Sequence, residues 1–241
     1  MVSTSKEPAR IAGMFDSIAR RYDTLNHLLS VGLDRRWRAR AVRELALTGT
    51  EDVLDMCTGT ADLAVEAVTT AAGQARDVVG VDFAGEMLRL GLIKIRKAGL
   101  ADRVHLVRGD ATQIPLPDNR FDAAMVAFGI RNVLDPAQSA REFARVLKPG
   151  GRLAVLEFGF PRIPGIKAAY RWYFKTLLPR VGRLISKHGD AYSYLPASVE
   201  QFPSPEAFAT LLTDHGFASV RTVSLTLGIV YLYVATMPGQ K

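Results

Sequence analysis

Three acidic residues mark a segment that could bind a ligand. Asp55 and Asp82 each end a short apolar stretch, and Asp62 follows the turn after Asp55. Small side chains make up that turn, residues 58–61, so a ligand could lie against the backbone. A strand, a small-residue turn, a helix and a second strand ending in an acid form half of a doubly wound α/β nucleotide site. Asp82 is therefore predicted to bind both hydroxyls of a ribose.

The acids favour a cationic ligand over a dinucleotide. The turn reads T-G-T-A-D and lacks G-x-G-x-x-G, which holds a pyrophosphate at a helix N-terminus. Asp55 and Asp62 would repel such an anion but attract the ammonium and sulfonium of S-adenosylmethionine. We therefore predict S-adenosylmethionine as a methyl donor, with its adenosine at Asp82. The alternatives are that Asp62 only stabilises a helix N-terminus and that Asp82 only caps its strand.

Residues after the third and fourth predicted strands could complete this site. Asp110 could accept a hydrogen bond from the adenine amino group, and the Ala111 backbone could reach the ring edge; alternatively, Asp110 is a turn residue. Arg131 and Asn132, in F-G-I-R-N-V, would place a charge and an amide beside the methyl donor, where an acceptor binds. The alternative is that Arg131 pairs with an acid such as Asp135 and Asn132 caps the next helix.

The chemistry of methyl transfer limits what else is needed. Displacement at a sulfonium methyl requires alignment and exclusion of water, and no metal is predicted. Arg131 could stabilise a phenolate on an aromatic acceptor. A water ordered by Arg131 and Asn132, His27, His188 or a tyrosine could take the proton, and the sequence does not choose among them.

Composition narrows the class of protein. The chain has 241 residues, of which 48% are hydrophobic, which suits a single globular domain. No apolar run reaches the roughly 18 residues of a membrane span, and the N-terminus has no apolar signal core, so we expect a cytoplasmic protein. Cys57 is the single cysteine, which excludes an internal disulfide and a multi-cysteine zinc site. We interpret Cys57 as a packing residue.

The hydrophobic pattern predicts the elements that position these residues. Helices are expected at 11–31, 35–47, 61–72, 84–98, 136–147 and 205–215, and strands at 52–56, 77–82, 103–108, 121–127, 152–157, 218–226 and 229–236. The segment L-K-P-G-G should end a helix and force a turn. The closing hairpin predicts a seven-stranded, mostly parallel sheet with an antiparallel last strand, the Rossmann-like class I methyltransferase architecture. Within one domain we expect a helical lid at 10–48, a donor-binding core at 49–158, an insertion at 159–204, and a closing helix and hairpin at 205–241.

The insertion is basic and aromatic. Net charge is +7, and residues 161–189 contain no acid and seven basic residues: Arg162, Lys167, Arg171, Lys175, Arg180, Arg183 and Lys187. One predicted helix, ended by Pro179, has an apolar stripe (Ile166, Tyr170, Tyr173, Phe174, Leu177) beside a basic stripe. Such a helix could lie on the inner face of the cell membrane, or it could simply pack on the core. Charge alone also suggests nucleic-acid binding, but no RNA-binding module or N-P-P-[YF] motif is present, so no nucleic-acid partner is expected.

Four sequence motifs are distributed along the chain. They are F-D-S-I-A-R-R-Y-D-T-L-N-H-L-L-S-V-G (15–32), F-G-I-R-N-V (128–133), R-V-L-K-P-G-G-R-L-A-V-L-E-F (145–158) and D-A-Y-S-Y-L-P-A-S-V (190–199). Together they resemble the motifs of the MenG/UbiE methyltransferases of menaquinone and ubiquinone biosynthesis. The resemblance implies C-methylation of polyprenylated demethylmenaquinol, with the methoxy-benzoquinol precursor of ubiquinone as the alternative acceptor. Methylation of a soluble aromatic compound and donor binding without catalysis are the competing interpretations. A homo-oligomer is left open.

The resemblance also implies roles for individual residues. Donor contacts are expected from Thr60, Asp82, Asp110 and Ala111. Arg131 and Asn132 would act on the acceptor, and Tyr22 and Asn26, on an N-terminal helix that covers the pocket, would bind it. Two positions depart from the family pattern, because Ala61 stands where glycine is common and Ala127 where a serine often contacts the donor.

Overall fold

The structure is a computed structural model that describes residues 6–70, 74–173, 176 and 189–239. Its helices are α1 Pro8–Leu29, α2 Leu33–Glu44, α3 Asp62–Thr69, α4 Gly85–Lys97, α5 Pro136–Val146, α6 Pro164–Trp172, α7 Gly189–Gln201 and α8 Pro205–Asp214. Its strands are β1 Asp52–Met56, β2 Asp77–Asp82, β3 Val104–Arg108, β4 Phe121–Ala127, β5 Leu147–Phe158, β6 Ser219–Leu225 and β7 Val230–Thr236. Strands β1, β2 and β4 have the predicted bounds.

The seven strands form one sheet in the order β3-β2-β1-β4-β5-β7-β6. Neighbours from β3 to β5 are parallel, whereas β7 runs antiparallel to both β5 and β6. This confirms the predicted architecture. The strand order reverses between β1 and β4, and the crevice at that point, at the carboxyl ends of the strands, is where open α/β sheets bind ligands.

Helices cover both faces of the sheet. On one face, Phe143 of α5 and Phe208 of α8 pack with Phe121 and Tyr233 of the strands, all at most 2% exposed. On the other face, side chains of α2, α3 and α4, including Trp37 and Ile95, pack on the strands. Burial of both faces explains why the central strands are almost continuous apolar runs.

Strand β5 begins five residues earlier than predicted. Its first part is L-K-P-G-G, in which Leu147 pairs with Phe121 and the register then shifts, so that Arg152 pairs with Ala123. Gly150 has a φ of 74° and donates its N–H to the Pro238 carbonyl at 2.8 Å. The prediction of a turn outside the sheet was wrong. The backbone groups of this segment form hydrogen bonds with neighbouring segments of the chain, so it is an irregular part of β5.

Helix α1 lies across α4 and α7, outside the two main layers. Its residue Ile18 packs with Tyr170 of α6 and Val199 of α7 in a small separate cluster. On α6, Tyr170 is buried and Lys167 and Arg171 are exposed, as the two predicted stripes require. Several residues named in the sequence analysis lie outside the described residues. They are Phe174, Lys175, Leu177, Pro179, Arg180, Arg183, Lys187 and His188. Among the described helices, none is long and apolar enough to span a bilayer.

Candidate active site

A small pocket lies at the carboxyl ends of β1, β2 and β4, where the strand order reverses. It has a volume of about 30 Å³. Gly59 of the first turn, Asp82 at the end of β2 and Asn132 after β4 line it, and α1 contributes Phe15 and Tyr22. The structure therefore brings together Asp82, Asn132 and Tyr22, which the sequence placed in one site.

Asp82 shapes the floor of this pocket. Its Oδ2 accepts a hydrogen bond from the Gly59 N–H at 2.9 Å, and its Oδ1 accepts one from the Ala84 N–H at 2.9 Å. Burial raises the pKa of the carboxyl, although these backbone donors oppose the shift. Each carboxylate oxygen has a further lone pair, so Asp82 can still accept bonds from a ligand.

Asp55 lies beneath the turn, and it does not line the pocket. The side chain is 1% exposed and accepts a hydrogen bond from the Thr58 hydroxyl. Burial raises the pKa of Asp55 to about 7, and the charges of Asp82 and Asp62 add to this effect. Strand β1 places Asp55 under the turn, where it binds Thr58, and its predicted contact with a cationic ligand stays a prediction.

The turn itself adopts a strained backbone conformation. Cys57 and Ala61 have φ values of 56° and 66°, in the left-handed region that disfavours side chains. Cys57 packs against Gly129, where a Cβ would lie 2.3 Å from that of Cys57. Burial raises the pKa of the Cys57 thiol, so this residue stays protonated and suits the predicted packing role.

Asp62 belongs to an ion-pair network that the sequence did not predict. It pairs with Lys94 of α4 and, at 3.3 Å, with Arg38 of α2. Lys94 Nζ also lies 2.7 Å from Asp23 Oδ2 of α1, whose Oδ1 accepts a hydrogen bond from the Thr60 hydroxyl at 2.6 Å. Asp62 is therefore paired with protein cations, and its contact with a cationic ligand stays a prediction. Thr60 anchors α1 in this structure.

Asp110 and Ala111 lie at the end of β3, and neither lines the small pocket. Asp110 Oδ1 accepts bonds from the Thr112 N–H and hydroxyl, both at 2.8 Å, as its alternative interpretation as a turn residue requires. Ala111 is 2% exposed, and its carbonyl accepts a bond from the Ser139 hydroxyl at 3.0 Å. Their contact with adenine stays a prediction.

A larger, mostly apolar cavity of about 350 Å³ adjoins the small pocket. Phe15, Tyr22 and Phe128 line both spaces, so these three side chains form the boundary between them. Asn26, the other predicted acceptor-binding residue, lies in the wall of the larger cavity. Burial raises the pKa of the Tyr22 phenol, so it is a neutral hydrogen-bond donor at the junction.

Arg131 is a buried cation in the wall of the larger cavity. Its Nη1 donates to Glu157 Oε1 at 2.8 Å and to the Phe128 carbonyl, and its guanidinium lies 5.5 Å from the centre of the Phe158 ring. Asp135, the partner named in the alternative interpretation, instead caps α5 by accepting bonds from the N–H groups of residues 137 and 138. Sequence reasoning thus missed Glu157, although an acid ending the apolar strand β5 was a usable signal.

Two polar atoms of Arg131 and Asn132 have no hydrogen-bond partner among the described residues. They are Arg131 Nε, a donor, and Asn132 Oδ1, an acceptor, and both are buried. Because buried polar atoms are nearly always paired, this arrangement suits groups that a ligand would satisfy. Asn132 does not cap the next helix, since Asp135 does.

His27 does not face either cavity. Its Nδ1 lies 3.0 Å from Asp34 Oδ1, and the side chain is 45% exposed. The pair joins the C-terminal part of α1 to the start of α2. This position disfavours His27 as the base of a reaction in the cavity.

Comparison with known proteins identifies the family. Residues 3–237 match the ubiE/COQ5 methyltransferase family. The chain belongs to this family. A ubiE/COQ5 relative from Syntrophotalea carbinolica, the "Ubiquinone/menaquinone biosynthesis C-methyltransferase UbiE", is 49% identical over 94% of both chains. The "Demethylmenaquinone methyltransferase" of Bacteroides fragilis is 40% identical over 96% of this chain and 94% of its own length.

A solved structure supports the fold assignment. An SAM-dependent methyltransferase from Aquifex aeolicus superposes with a TM-score of 0.60 at 22% identity, covering 83% of this chain and 89% of that one. Membership of the ubiE/COQ5 family confirms the predicted resemblance and the prediction that the protein is a methyltransferase.

Proposed function

We propose that this protein transfers a methyl group from S-adenosylmethionine to a ring carbon of a polyprenylated quinol, demethylmenaquinol. One observation carries the proposal: a small pocket with polar groups at the strand ends meets a large apolar cavity at Phe15, Tyr22 and Phe128. A charged methyl donor and a lipid-like acceptor need two such spaces in contact. The names of the two relatives support the same reaction class.

The residues of the small pocket fit the donor. Asp82 has free lone pairs for two ribose hydroxyls, and Gly59 leaves the backbone open to close approach. The unpartnered Asn132 Oδ1 presents an acceptor at the end nearer the large cavity. S-adenosylmethionine supplies an electrophilic methyl group on a sulfonium, so the protein has only to align the acceptor and exclude water. Phe15 and Tyr22 of α1 line this pocket, so α1 would cover a bound donor.

Arg131 is proposed to activate the acceptor. A quinol ring carbon becomes nucleophilic when the neighbouring phenol loses or shares its proton, and a fixed buried cation stabilises the resulting negative charge. Arg131 is 5% exposed and has its Nε–H unpaired, so one of its donors is available to the acceptor. Phe128 and Phe158, whose ring centres lie 4.5 Å apart, offer an aromatic surface beside it.

The rim of the large cavity supports contact with a membrane, as an isoprenoid acceptor requires. Val31 lines the cavity and is nevertheless 85% exposed, so it lies at the mouth. Trp172 and Leu227, next in sequence to lining residues, are each 61% exposed. Arg35 and Arg36 of α2 add exposed positive charge that suits anionic headgroups. We propose a cytoplasmic enzyme bound peripherally to the inner face of the cell membrane.

Transfer of labelled methyl from S-adenosylmethionine tests the reaction directly. The acceptors are chemically reduced demethylmenaquinone and the reduced methoxy-benzoquinol precursor of ubiquinone, each in liposomes. The second acceptor is included because the Syntrophotalea carbinolica relative is named for both pathways. Label on demethylmenaquinol is the expected result, and faster labelling of the benzoquinol would reassign the acceptor. Donor binding without label on either quinol would contradict the proposed function.

A further inference from the structure

A buried phenol in the large cavity has no assigned role. Tyr194 of α7 is 3% exposed and lines the cavity together with Arg131. Its hydroxyl has no hydrogen-bond partner among the described residues. A buried hydroxyl without a partner is destabilising, so its presence on a residue of a cavity wall points to a ligand group that would accept its hydrogen bond.

The ring of Tyr194 is held in place even though its hydroxyl is not. The Arg10 guanidinium of α1 lies 5.6 Å from the centre of the ring, which fixes α7 against the lid helix. Burial raises the pKa of the phenol, while the positive charges of Arg131 and Arg10 oppose the shift. The hydroxyl is therefore neutral at physiological pH and keeps its proton as a hydrogen-bond donor.

Arg131 Nε–H and the Tyr194 hydroxyl are thus two buried donors, on residues of the cavity wall, that have no hydrogen-bond partner among the described residues. An acceptor with a single oxygen would leave one of them unsatisfied. A para-quinol has two oxygens on opposite sides of its ring, so it can satisfy both donors while the ring lies on the aromatic wall.

We propose that Tyr194 is a substrate-positioning residue that donates a hydrogen bond to the quinol oxygen remote from Arg131. This inference rests on the proposed function for the identity of the acceptor. It explains how a mostly apolar cavity could orient a ring that has little else to bind. With one oxygen at Arg131 and the other at Tyr194, the ring cannot rotate, and a single carbon is presented to the donor.

A pair of small probes tests the hydrogen bond without any turnover. Calorimetry under anaerobic, reducing conditions compares 1,4-naphthalenediol, which has both oxygens, with 1-naphthol, which has one. Tyr194→Phe removes only the hydroxyl, and we expect it to weaken diol binding about five- to tenfold while 1-naphthol binding changes less than twofold. Tyr231→Phe is the matched control, because Tyr231 is also buried but does not line this cavity.

Two further readouts separate orientation from a structural role. Tyr194→Phe should not lower the melting temperature, since the hydroxyl has no partner to lose. The KM for reduced demethylmenaquinone should rise by about the same factor as the diol Kd, and kcat should fall as well, because the ring is no longer held in one orientation. Equal effects on both probes, no effect on either, or a wild-type enzyme that binds neither probe would overturn the inference. Probe binding that depends on Tyr194, in an enzyme that methylates no quinol, would overturn the proposed function alone.

Discussion

Glu157 Oε1 accepts a hydrogen bond from Arg131 Nη1 at 2.8 Å, and its side chain is wholly buried. The Glu157 carboxylate also accepts bonds from the backbone N–H of Arg131 at 3.3 Å and of Phe158 at 2.8 Å. A single acid at the end of β5 therefore fixes both the backbone and the side chain of Arg131. These bonds involve Nη1 of the guanidinium, whereas Nε has no partner among the described residues.

Replacing Glu157 tests whether this pairing orients Arg131. Glu157→Gln leaves a buried cation without its counter-charge, which should lower the free energy of unfolding by about 3 kcal/mol. A less ordered Arg131 should also lower kcat at least tenfold. The control is Glu86→Gln, which breaks a half-exposed pair with Arg89 and should cost under about 1 kcal/mol. Denaturant unfolding and steady-state kinetics measure both effects; unchanged kcat in Glu157→Gln would remove Glu157 from the mechanism.

Asp82 is the residue on which donor binding should depend most. Asp82→Ala removes both carboxylate oxygens, and we expect the Kd for S-adenosylmethionine to rise roughly 10- to 100-fold, as for hydrogen bonds to a charged group. Asp77→Ala is the control, because Asp77 starts the same strand at its opposite end. Equilibrium binding of the donor measures the effect. If Asp82→Ala bound the donor as tightly as wild type, the ribose assignment would be wrong.

The fold was largely predictable because its signals are local. β1, β2 and β4 are buried strands, and each appears as a short apolar run with a clear end, so their bounds were correct. β5 was predicted too short because L-K-P-G-G is a turn signal in isolation. Its pairing with β4 and its bonds to residues 237–238 are tertiary contacts that no local pattern reveals.

The site was predictable only in part. Asp82 and Asn132 follow from their positions at strand ends, which are fixed by topology. The partners Glu157 and Lys94 lie 26 and 32 residues from Arg131 and Asp62, so the pairs form only after packing. Whether the Asp55 side chain points towards the pocket or beneath the turn depends on how the turn packs over the end of β1, which is a tertiary contact.

The pH dependence of stability should report the burial of Asp55. Its pKa is raised from an ordinary value of 3.8 to about 7 by burial, so the folded state holds a proton that the unfolded state releases. Its contribution to stability is therefore complete below about pH 4 and is lost as pH rises towards 7, at about 1.4 kcal/mol per pH unit. Above pH 7 the loss levels off.

Asp55→Asn isolates this contribution. The amide cannot ionise, so the free energy of unfolding of wild type minus that of the variant should fall between pH 4 and 7 and then stay constant. Denaturant unfolding at intervals across that range measures it. Asp122→Asn is the control, because burial is outweighed at Asp122 by hydrogen bonds from Lys148 and the Asp52 backbone, which lower its pKa. Its contribution is lost only below about pH 4, so the difference for this variant should stay constant between pH 4 and 7. A difference that does not change with pH would show that Asp55 is ionised throughout.

The network around Asp23 should hold the lid helix. Asp23 of α1 binds Lys94 and Thr60, and Asp16 of α1 accepts a bond from the N–H of Glu86 at the start of α4 at 2.8 Å. Asp23 is 41% exposed, so Asp23→Asn should cost only about 1 kcal/mol locally. We expect roughly fivefold faster hydrogen exchange in α1, with β1 and β4 unchanged. Lys97→Met, at an exposed position on α4, is the control. If α1 exchanges as slowly in Asp23→Asn as in the wild type, the Asp23 network does not hold the lid helix.

The exposed Val31 side chain should lower the stability of the protein and strengthen its binding to a membrane. It has a φ of 52°, which a β-branched residue disfavours, and it is 85% exposed at the mouth of the cavity. Asparagine tolerates this backbone region, so Val31→Asn should raise the free energy of unfolding by about 1 kcal/mol. The same change removes an apolar side chain from the proposed membrane face and should weaken binding to anionic liposomes about threefold to tenfold.

Ile93→Asn is the control, because Ile93 is 51% exposed on α4 and does not line the cavity. Liposome flotation and thermal unfolding measure the two effects, and a stabilised Val31→Asn variant that floats as well as wild type would place the membrane face elsewhere.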